Sequence, residues 1–289
     1  MNPDDNDLAT RFCLRGDLHQ SPMHARVLTD LGWTKIPLSP GSQLYLRRLG
    51  PFSVAKLQRP NKIDLDQLQP IRKQYRILTL YLEPKLNDPL PPKVGWRVEP
   101  FAHSKTSLLD LALPEKTLLA SFNQNTRRNL RPNPDLTFTT TALSALTTTQ
   151  IDGFFALQHS WHHTKKVASY PEKMLRAVFR HYATYGHLHV AYYQNTACAH
   201  LLSLYHNRVA TYYIAAANEA GYAQAAPTHL TWEMIKTAKK AGCDILDFGG
   251  IYDERYPKMY KGWQGFTKFK AGFRPTVITY PETRLLLFW

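Results

Sequence analysis

Residues 226–251 read APTHLTWEMIKTAKKAGCDILDFGGI, and residues 265–273 read GFTKFKAGF. The proline near the start and the glycine after the lysines are the usual limits of a helix. The apolar run that follows, CDILDFGG, predicts a buried strand that stops at two glycines. This part of the sequence therefore predicts a helix, a buried strand, a loop that contains residues 265–273, and a further strand region after Gly272.

The sequence before this stretch predicts two helices and three antiparallel strands. The helices are expected at IDGFFALQHSWHH and PEKMLRAVFRHYATYG, and the strands at HLHVAYY, ACAHLLSLYH and RVATYYIAAA. Turns are expected at Gln194-Asn195 and at Asn207. Helices, antiparallel strands, helix and strand in this order are typical of the GNAT fold of acyltransferases, which is an analogy drawn from element order.

The N-terminal half predicts a further α+β region. Residues 17–60 indicate a helix and then a hairpin around Gly50-Pro51. A short helical stretch and a strand over residues 77–82 follow, and LNDPLPPK must be a loop because of its prolines. Beyond this loop the pattern predicts a strand, a helix over residues 114–131 bracketed by prolines, and another strand.

Length and charge limit the classes of function. A chain of 289 residues with 44% hydrophobic and 12% aromatic residues can bury a sizeable core and is long enough for two domains. An excess of 36 Lys+Arg over 22 Asp+Glu gives +14. That charge suits polyanionic partners such as RNA, nucleotide diphosphates or an anionic membrane surface, and a solvated basic surface is the alternative.

Cysteine use and the N-terminal sequence indicate a cytoplasmic protein. Cys13, Cys198 and Cys243 are widely spaced and form no CxxC, so neither a disulfide framework nor a zinc site is suggested. The start, MNPDDNDLATR, lacks the pattern of a secretion signal. No run approaches the ~18 apolar residues of a membrane span. The final LLLFW reads as a buried strand.

Three stretches of the sequence resemble the FemABX family. Its members carry a helix with a central tryptophan, a DFGGI-like strand end, and a glycine-containing loop that ends in Phe-Lys before another glycine. The segments TSLLDLALPEKTLLASFNQNTRRNLR and HQSPMHARVLTDLGW are similar to the family's middle strand with its basic helix and to its N-terminal helix. The matching positions of the first motif are Trp232, residues 247–251, Phe269, Lys270 and Gly272.

The resemblance implies two GNAT-like domains with mixed sheets, the last strand of the chain returning to the first domain. ALSALTTTQ is small and polar and indicates a break, so the first domain is expected at residues 1–145 plus 276–289 and the second at 146–275. Some relatives insert a long helical hairpin in the second domain. No segment here has the length or the heptads for a coiled-coil arm, so the resemblance is to the compact FemX-like subgroup.

The resemblance also implies a reaction and its partners. An amino acid would move from aminoacyl-tRNA to the stem-peptide amine of a peptidoglycan precursor, UDP-MurNAc-pentapeptide or lipid II, in interpeptide bridge formation. No cofactor is implied, and a lipid-linked acceptor is compatible with peripheral contact with the inner membrane surface. The chain departs from the family in its first helix, where His24 stands in place of the usual tryptophan, close to the candidate contact Arg26.

The implied reaction converts an ester into an amide and needs no covalent enzyme intermediate. Alignment of two bound substrates supplies about 7–11 kcal/mol of the barrier, and one donor aimed at the developing oxyanion about 3–4 kcal/mol. The resemblance gives Lys270 this role, with Phe269 beside it; a surface lysine is the alternative. Asp247 could orient the attacking amine or cap the turn made by Gly249-Gly250.

Basic and aromatic residues complete the candidate site. Arg127 and Arg131 share one face of the predicted helix, which suits phosphates of tRNA or of the precursor, unless the face is simply solvated. Arg176 lies where the family binds precursor phosphates, and Trp232 is either a core residue or a stacking platform. The candidate substrate-binding residues are Arg26, Arg127, Arg131, Arg176, Trp232, Gly249, Gly250 and Tyr252.

Other types of site receive less support. His159 and His163 are spaced i,i+4, but no glutamate lies between them as in HExxH and no third ligand is evident, so no metal is predicted. Ser160 and Cys243 lack an identifiable base partner. An acyl-CoA-dependent N-acyltransferase would need a loop of the R/Q-x-x-G-x-G/A type that enters a helix, and only RRLGPF in the predicted hairpin approaches it. A non-catalytic RNA-binding protein is the remaining alternative.

Overall fold

The computed structural model describes residues 3–39, 41–91, 93–165 and 170–288, and the elements below lie within them. The helices are α1 (Pro3–Arg15), α2 (Pro22–Asp30), α3 (Leu65–Tyr75), α4 (Glu115–Ser121), α5 (Gln124–Asn129), α6 (Thr148–Lys165), α7 (Glu172–His181), α8 (Glu219–Ala223), α9 (Ala226–Lys240) and α10 (Gln264–Ala271). The strands are β1 (Thr34–Leu38), β2 (Ser42–Leu49), β3 (Phe52–Gln58), β4 (Ile77–Glu83), β5 (Trp96–Arg97), β6 (Lys105–Asp110), β7 (Leu136–Ala142), β8 (Gly186–Tyr193), β9 (Thr196–His206), β10 (Val209–Ala217), β11 (Ile245–Gly250), β12 (Thr276–Thr279) and β13 (Arg284–Leu287). Three 3-10 turns lie at Leu18–Gln20, Leu143–Ala145 and Lys261–Trp263.

The strands form two mixed sheets. The first has the order β1-β2-β3-β4-β13-β5, and the second has the order β12-β6-β11-β10-β9-β8-β7. Each sheet has one parallel pair, β3 with β4 and β10 with β11. A parallel pair requires a crossover connection, and α3 and α9 lie in these two connections. The α+β class with two mixed sheets is therefore confirmed, and within the described residues no coiled-coil arm interrupts the second sheet.

The second sheet is covered on both faces at its centre. Successive residues of a strand point to opposite faces, so the alternating residues of β10 and β11 enter two different clusters. Leu246 and Phe248 pack in the cluster formed with α9. Val209 and Ile245 pack on the other face with Phe12 of α1. Helix α1, which the sequence reading did not predict, thus closes the face of the second sheet that carries Asp247.

Strands β10 and β11 pair only at their beginnings. Their register runs from Val209↔Ile245 to Thr211↔Asp247 and then ends. Strand β10 continues beside β9 around an irregularity after Tyr212, whereas the pairing of β11 with β6 is irregular after Asp247. The two strands therefore diverge beyond Thr211 and Asp247. This divergence leaves an opening in the sheet, referred to below as the splay, where groups on its two faces can meet.

The helix expected over residues 114–131 is two short helices, α4 and α5. Phe122 adopts an extended backbone with ψ 153° and is buried in the core. The side chain of Asn123 then accepts a hydrogen bond from the Thr126 amide at 2.7 Å and begins α5. Because α5 ends at Asn129, Arg131 lies beyond the helix, and the predicted helical face shared by Arg127 and Arg131 does not form as expected.

The segment expected to be a loop at residues 265–273 is mostly helix. Helix α10 includes Phe269 and Lys270, and Gly272 is its C-cap residue. The glycine at its second position, Gly265, indicated a loop, but the surroundings of this residue are open and the helix tolerates it. Lys268 is exposed and Lys270 is buried because they lie on different faces of a helix, not of an extended strand.

The division between the sheets does not follow the expected domain boundary at residue 145. Strands β6 and β7 pair in the second sheet although they precede that boundary, and the polar stretch after β7 contains a 3-10 turn. The C-terminal segment also divides, since β12 pairs with β6 of the second sheet and β13 joins the first sheet. By sheet membership, the chain leaves the first sheet between β5 and β6. Residues 1–2 and 289 of the expected first domain lie outside the described residues.

No helix in the described ranges combines the length and the apolar character that crossing a bilayer requires.

Candidate active site

Lys270 lies at the splay and is held by the turn that ends β11. Helix α10 places its side chain in the interior, where the residue is 8% exposed. The ammonium Nζ donates a hydrogen bond to the Gly250 carbonyl at 2.6 Å and lies 5.7 Å from the centre of the Tyr212 ring. A lysine ammonium has three donors, and the Gly250 bond uses one of them. The buried cation can therefore donate to a further oxygen that enters the splay.

Burial lowers the pKa of Lys270 to about 8, while the nearby Asp247 carboxylate opposes this shift. A value near 8 leaves most of the side chain protonated at neutral pH. The cation is therefore available near pH 7 and is lost as the pH rises through about 8. Its charge is poorly solvated, which strengthens any electrostatic contact that it makes with an anionic group.

Asp247 is the last residue of β11 that pairs with β10, and its contacts are local. The carboxylate Oδ1 accepts hydrogen bonds from the Thr106 hydroxyl and, at 2.8 Å, from the Gly249 amide. Burial raises the pKa of Asp247, while these two hydrogen bonds oppose the shift. These contacts of Asp247 are the ones expected if it caps the turn. They fix the Gly249-Gly250 turn, and the Gly250 carbonyl of this turn accepts the hydrogen bond from Lys270.

The two glycines of the DFGG sequence are required for different reasons. Gly249 has φ +69°, a left-handed conformation that favours glycine. A Cβ at Gly250 would overlap the ring of Trp263 and would lie 2.8 Å from Cβ of His103. The turn can thus approach both side chains only because Gly250 has none. His103 and Lys270 consequently lie next to the same residue.

A small, partly open cavity lies on the α1 side of the second sheet, next to the splay. Its volume is about 30 Å³, room for roughly one water-sized group. The lining comes from α1 and the turn after it, from the end of the first sheet, and from β10 and β11. The lining residues are Phe12, Gly16, Asp17, Leu18, His19, Arg59, His103, His206, Val209, Thr211 and Asp247.

A buried ion pair between the two sheets forms one wall of this cavity. The Arg59 guanidinium donates to Asp17 Oδ2 at 3.0 Å, and both side chains are less than 10% exposed. The His19 ring nitrogen Nδ1 lies 2.6 Å from the other oxygen of Asp17. Burial alone would raise the pKa of Asp17, but Arg59 and His19 hold it well below its usual range. Asp17 is therefore a fully occupied carboxylate that orients its two partners.

His103 lies between this ion pair and the glycine turn. Its backbone carbonyl accepts a hydrogen bond from Arg59 Nη2 at 2.5 Å, and its ring lies edge-on to Tyr280. The ring atom Nε2 is buried and has no hydrogen-bond partner among the described residues. Burial, assisted by the positive charge of Arg59, holds the pKa of His103 well below its usual value. His103 is thus a neutral imidazole at neutral pH.

The structure brings together only part of the site expected from the sequence. Lys270, Asp247, Gly249 and Gly250 meet at the splay. Phe269 and Trp232 pack against the core under α9, so their described contacts are structural. Tyr252 follows the turn, is half-buried, and donates its backbone amide to the Thr267 hydroxyl at 2.7 Å.

The arginines expected to bind phosphate lie elsewhere. Arg26 is exposed on α2. Arg127 folds back onto the carbonyls of Ala120 and Phe122, and it lines a surface pocket of about 270 Å³ together with Gln124, Asn125, Arg128 and Arg131. Arg176 is paired with Glu172 at 2.7 Å and stacks on the Phe155 ring, so its guanidinium is already engaged.

His159 and His163, for which the sequence predicted no metal, are both exposed on α6. His159 lies 3.9 Å from Glu172. In the described residues no group of three or more potential metal ligands is found.

Sequence reasoning missed Asp17, Arg59 and His103. Their contacts join residues that are 42 and 44 positions apart, and such pairing has no local sequence pattern. Two features of the sequence came closest to indicating these residues. Asp17 lies just before the HQS segment, and Arg59 lies at the end of β3. Neither signal distinguishes a buried ion pair from an ordinary surface charge.

Comparison with known proteins agrees with this architecture. Residues 120–261 match the family model described as acetyltransferase (GNAT) domain. No curated protein matches the chain. Among solved structures, FemX matches with a TM-score of 0.78 at 13% identity, covering 100% of this chain and 97% of that chain.

Two further structures share the fold. The C-terminal domain (DUF2156) of a putative lysylphosphatidylglycerol synthetase from Agrobacterium fabrum has a TM-score of 0.63 at 14% identity, with 98% of this chain and 92% of that chain covered. A tandem GNAT protein from the clavulanic acid biosynthesis pathway has a TM-score of 0.55 at 11% identity, with 98% and 96% covered.

The fold and the match over residues 120–261 define a GNAT-fold protein. The match to the acetyltransferase (GNAT) domain supports an acyltransferase. More narrowly, the whole chain has a FemX-like fold, and the FemABX resemblance seen in the sequence is confirmed at the level of the fold.

Proposed function

We propose that the protein is a cytoplasmic aminoacyltransferase that takes an aminoacyl group from aminoacyl-tRNA. The acceptor is the stem-peptide amine of a peptidoglycan precursor, UDP-MurNAc-pentapeptide or lipid II. The amine attacks the ester carbonyl, the oxyanion that develops is stabilised by the Lys270 ammonium, and the ester oxygen leaves. Such a reaction needs positioned substrates and one cation, and no nucleophilic side chain.

The observation that carries this proposal is the buried Lys270 cation at the splay. Its one described hydrogen bond is to the carbonyl of Gly250, and burial keeps water away from it. A buried cation costs free energy unless it is used or paired. The nearest carboxylate, Asp247, is occupied by Thr106 and Gly249 and makes no ion pair with Lys270 among the described contacts. A developing oxyanion is the partner that this arrangement suits.

The second candidate is an acyl-CoA-dependent N-acyltransferase, which the acetyltransferase (GNAT) domain match favours. The only sequence resembling a pyrophosphate loop, residues 47–52, is the tip of the β2–β3 hairpin and does not enter a helix. Before α9, Gly221 is needed for close packing against the Cys198 carbonyl, where a Cβ would overlap it. Neither Gly50 in the hairpin nor Gly221 before α9 forms a loop that could bind the phosphates of CoA. Aminoacyl-tRNA is therefore preferred as the donor.

The test is a transfer assay with both donors. The protein is incubated with a pool of charged tRNA, or with acetyl-CoA, together with a lysine-containing precursor, and the product is weighed by mass spectrometry. The expected product is the precursor plus one amino-acid residue, formed only with charged tRNA. Acetylated product with acetyl-CoA, and none with tRNA, would establish the second candidate instead.

A further inference from the structure

The cavity on the α1 side of the splay is placed to receive one reacting group. Thr211 and Asp247, the last paired residues of β10 and β11, line it, whereas Tyr212 beneath the Lys270 ammonium packs on the opposite face. The cavity and Lys270 therefore approach the opening in the sheet from its two sides. A volume of about 30 Å³ admits a small terminal group such as an amine, and excludes anything larger without rearrangement.

Two carboxylates around the cavity are already engaged. Asp17 is held by Arg59 and His19, and Asp247 by Thr106 and Gly249. His206 is a further histidine of the lining, and burial lowers its pKa. Among the lining residues, within the described part of the chain, only His103 has a buried side-chain nitrogen without a hydrogen-bond partner.

Three contacts fix the position of His103. Its carbonyl is held by Arg59, its ring meets Tyr280, and its Cβ lies against Gly250, the residue whose carbonyl accepts from Lys270. A buried polar atom that lacks a partner destabilises the folded protein. Such a cost is expected to persist where the atom acquires its partner only when a ligand is bound.

We propose that this cavity receives the primary amine of the acceptor and that His103 Nε2 accepts the proton that the amine loses during attack. The inference rests on the proposed function and adds the acceptor side of the site. The amine nitrogen forms a bond to the acyl carbon, and the bond from that carbon to the ester oxygen breaks. The electron pair leaves with the ester oxygen, and the proton held by His103 is delivered to it, so the imidazole is neutral again after each turnover.

The surrounding charges suit this role. Arg59 and Lys270 make protonation of His103 unfavourable before the substrate arrives, which keeps the ring nitrogen free as an acceptor. Asp17 lies close enough to offset part of the positive charge that forms on the imidazole during the reaction. A proton acceptor positioned in this way contributes on the order of 10²–10⁴ in rate.

The activity test compares His103→Gln with His187→Gln in the full-length protein. His187 is a matched control, since it is a partly buried histidine with an unpartnered ring nitrogen on β8, outside the cavity. With the lysine-containing precursor as acceptor, His103→Gln should lower kcat by about 100-fold or more, and the control should keep its rate. In His103→Ala, added imidazole should restore part of the rate, because it can occupy the space of the missing ring and accept the proton. A purely structural role would show no such rescue and would overturn the proposal.

A binding test does not depend on turnover. The wild-type protein is labelled with ¹³C at histidine Cε1, and the His103 signal is assigned as the one missing from the His103→Gln spectrum. Addition of n-butylamine should shift this signal and leave the His187 signal in place. An unshifted His103 signal at saturating amine would overturn the cavity assignment. Absence of transfer from every charged tRNA, together with a shifted signal, would instead refute the proposed function and retain the amine site.

Discussion

At the scale of single residues, the most informative feature is that the Lys270 ammonium is both buried and charged. Lys270→Met keeps most of the side-chain volume and removes the cation. If the cation stabilises charge that forms only in the transition state, kcat should fall by about two to three powers of ten with substrate affinity nearly unchanged. Steady-state kinetics that separate kcat from KM measure this effect.

Two comparisons make this prediction specific. Lys268→Met removes an exposed lysine from the same helix and should leave kcat unchanged. A fall in affinity without a fall in turnover for Lys270→Met would show that Lys270 binds a substrate anion in its ground state.

The pKa of Lys270 also predicts a pH dependence. Because burial lowers this pKa to about 8, the cation is present below that value and is lost above it. The wild-type kcat should therefore decline as the pH rises through about 8, unlike that of a free lysine, whose charge persists to about pH 10. Lys270→Arg keeps the charge at all accessible pH values, so any activity it retains should show no alkaline decline.

Gly250 offers a second test at this scale. A Cβ at this position would overlap Trp263 and press on His103, so Gly250→Ala should destabilise the protein by about 1–3 kcal/mol and displace the carbonyl that holds Lys270. Gly265→Ala is the matched control, because it adds a methyl group to open space within α10 and should be neutral or stabilising by up to about 1 kcal/mol. Urea denaturation compares the two, and equal effects would contradict the packing argument.

At the scale of elements, the break between α4 and α5 depends on one side chain. Asn123→Ala removes the hydrogen bond to the Thr126 amide and should cost about 1 kcal/mol of unfolding free energy. Asn123→Ser retains a capping oxygen and should recover most of that loss. If α4 and α5 were one continuous helix in solution, alanine at this position would stabilise the protein, and urea denaturation would show the opposite sign.

The elements that the sequence predicted correctly have strong local signals. Strands β8, β9 and β10 alternate in character, and their turns at Gln194-Asn195 and Asn207 use residues that tolerate positive φ, as the structure shows. Helix α9 has a proline near its beginning. Helix α10 was missed because its glycines imitate a loop, and the break at Phe122 was missed because it depends on burial of one ring in the core.

The residues of the candidate site could also be predicted only where the sequence carries a local signal. The DFGG turn and Lys270 are near each other in sequence and could be inferred from the family resemblance. The wall formed by Asp17, Arg59 and His103 joins the two sheets through long-range contacts, and no periodicity in the sequence encodes such contacts. The sequence therefore indicated residues around the splay, whose catalytic role stays a prediction, and none of the three residues of the cavity wall.

At the scale of the whole molecule, the charge of +14 predicts salt-dependent binding of tRNA. Each contact with a phosphate releases counterions. The logarithm of the tRNA association constant should therefore fall linearly with the logarithm of the salt concentration. If the pocket lined by Arg127, Arg128 and Arg131 binds the tRNA backbone, replacing all three by alanine should reduce the slope by about 2–3. Arg176→Ala is the control, since that arginine is paired with Glu172. Filter binding over a salt series measures both slopes.

Buried histidines predict that stability depends on pH. Burial lowers the pKa values of His189 and His200 to about 3, and those of His24 and His103 also lie well below 6.5. The unfolded chain binds protons at these sites below pH 6.5 and the folded chain does not, so stability is lost as the pH falls. Between pH 7.5 and 5.5 each site should contribute roughly 1.4 kcal/mol of loss.

Urea denaturation at the two pH values measures this loss. The carboxylates with lowered pKa values, such as Asp17, stay ionised in this range and do not obscure it. His200→Gln should reduce the pH-dependent loss by roughly 1.4 kcal/mol, because it removes one of the neutral histidines. A loss that is the same in this variant would show that His200 is not neutral in the folded protein.

The position of β13 has a consequence for synthesis on the ribosome. This strand lies between β4 and β5 in the first sheet, although the strands of the second sheet separate it from them in the chain. The nascent chain therefore presents β4 without this neighbour during translation of all the intervening strands, and an unpaired edge of this kind can join other chains. The second sheet can be completed first, and the first sheet closes only after residues 284–287 have emerged. Chaperones that shield exposed strands would accordingly be needed most during this interval, and slow synthesis would prolong it.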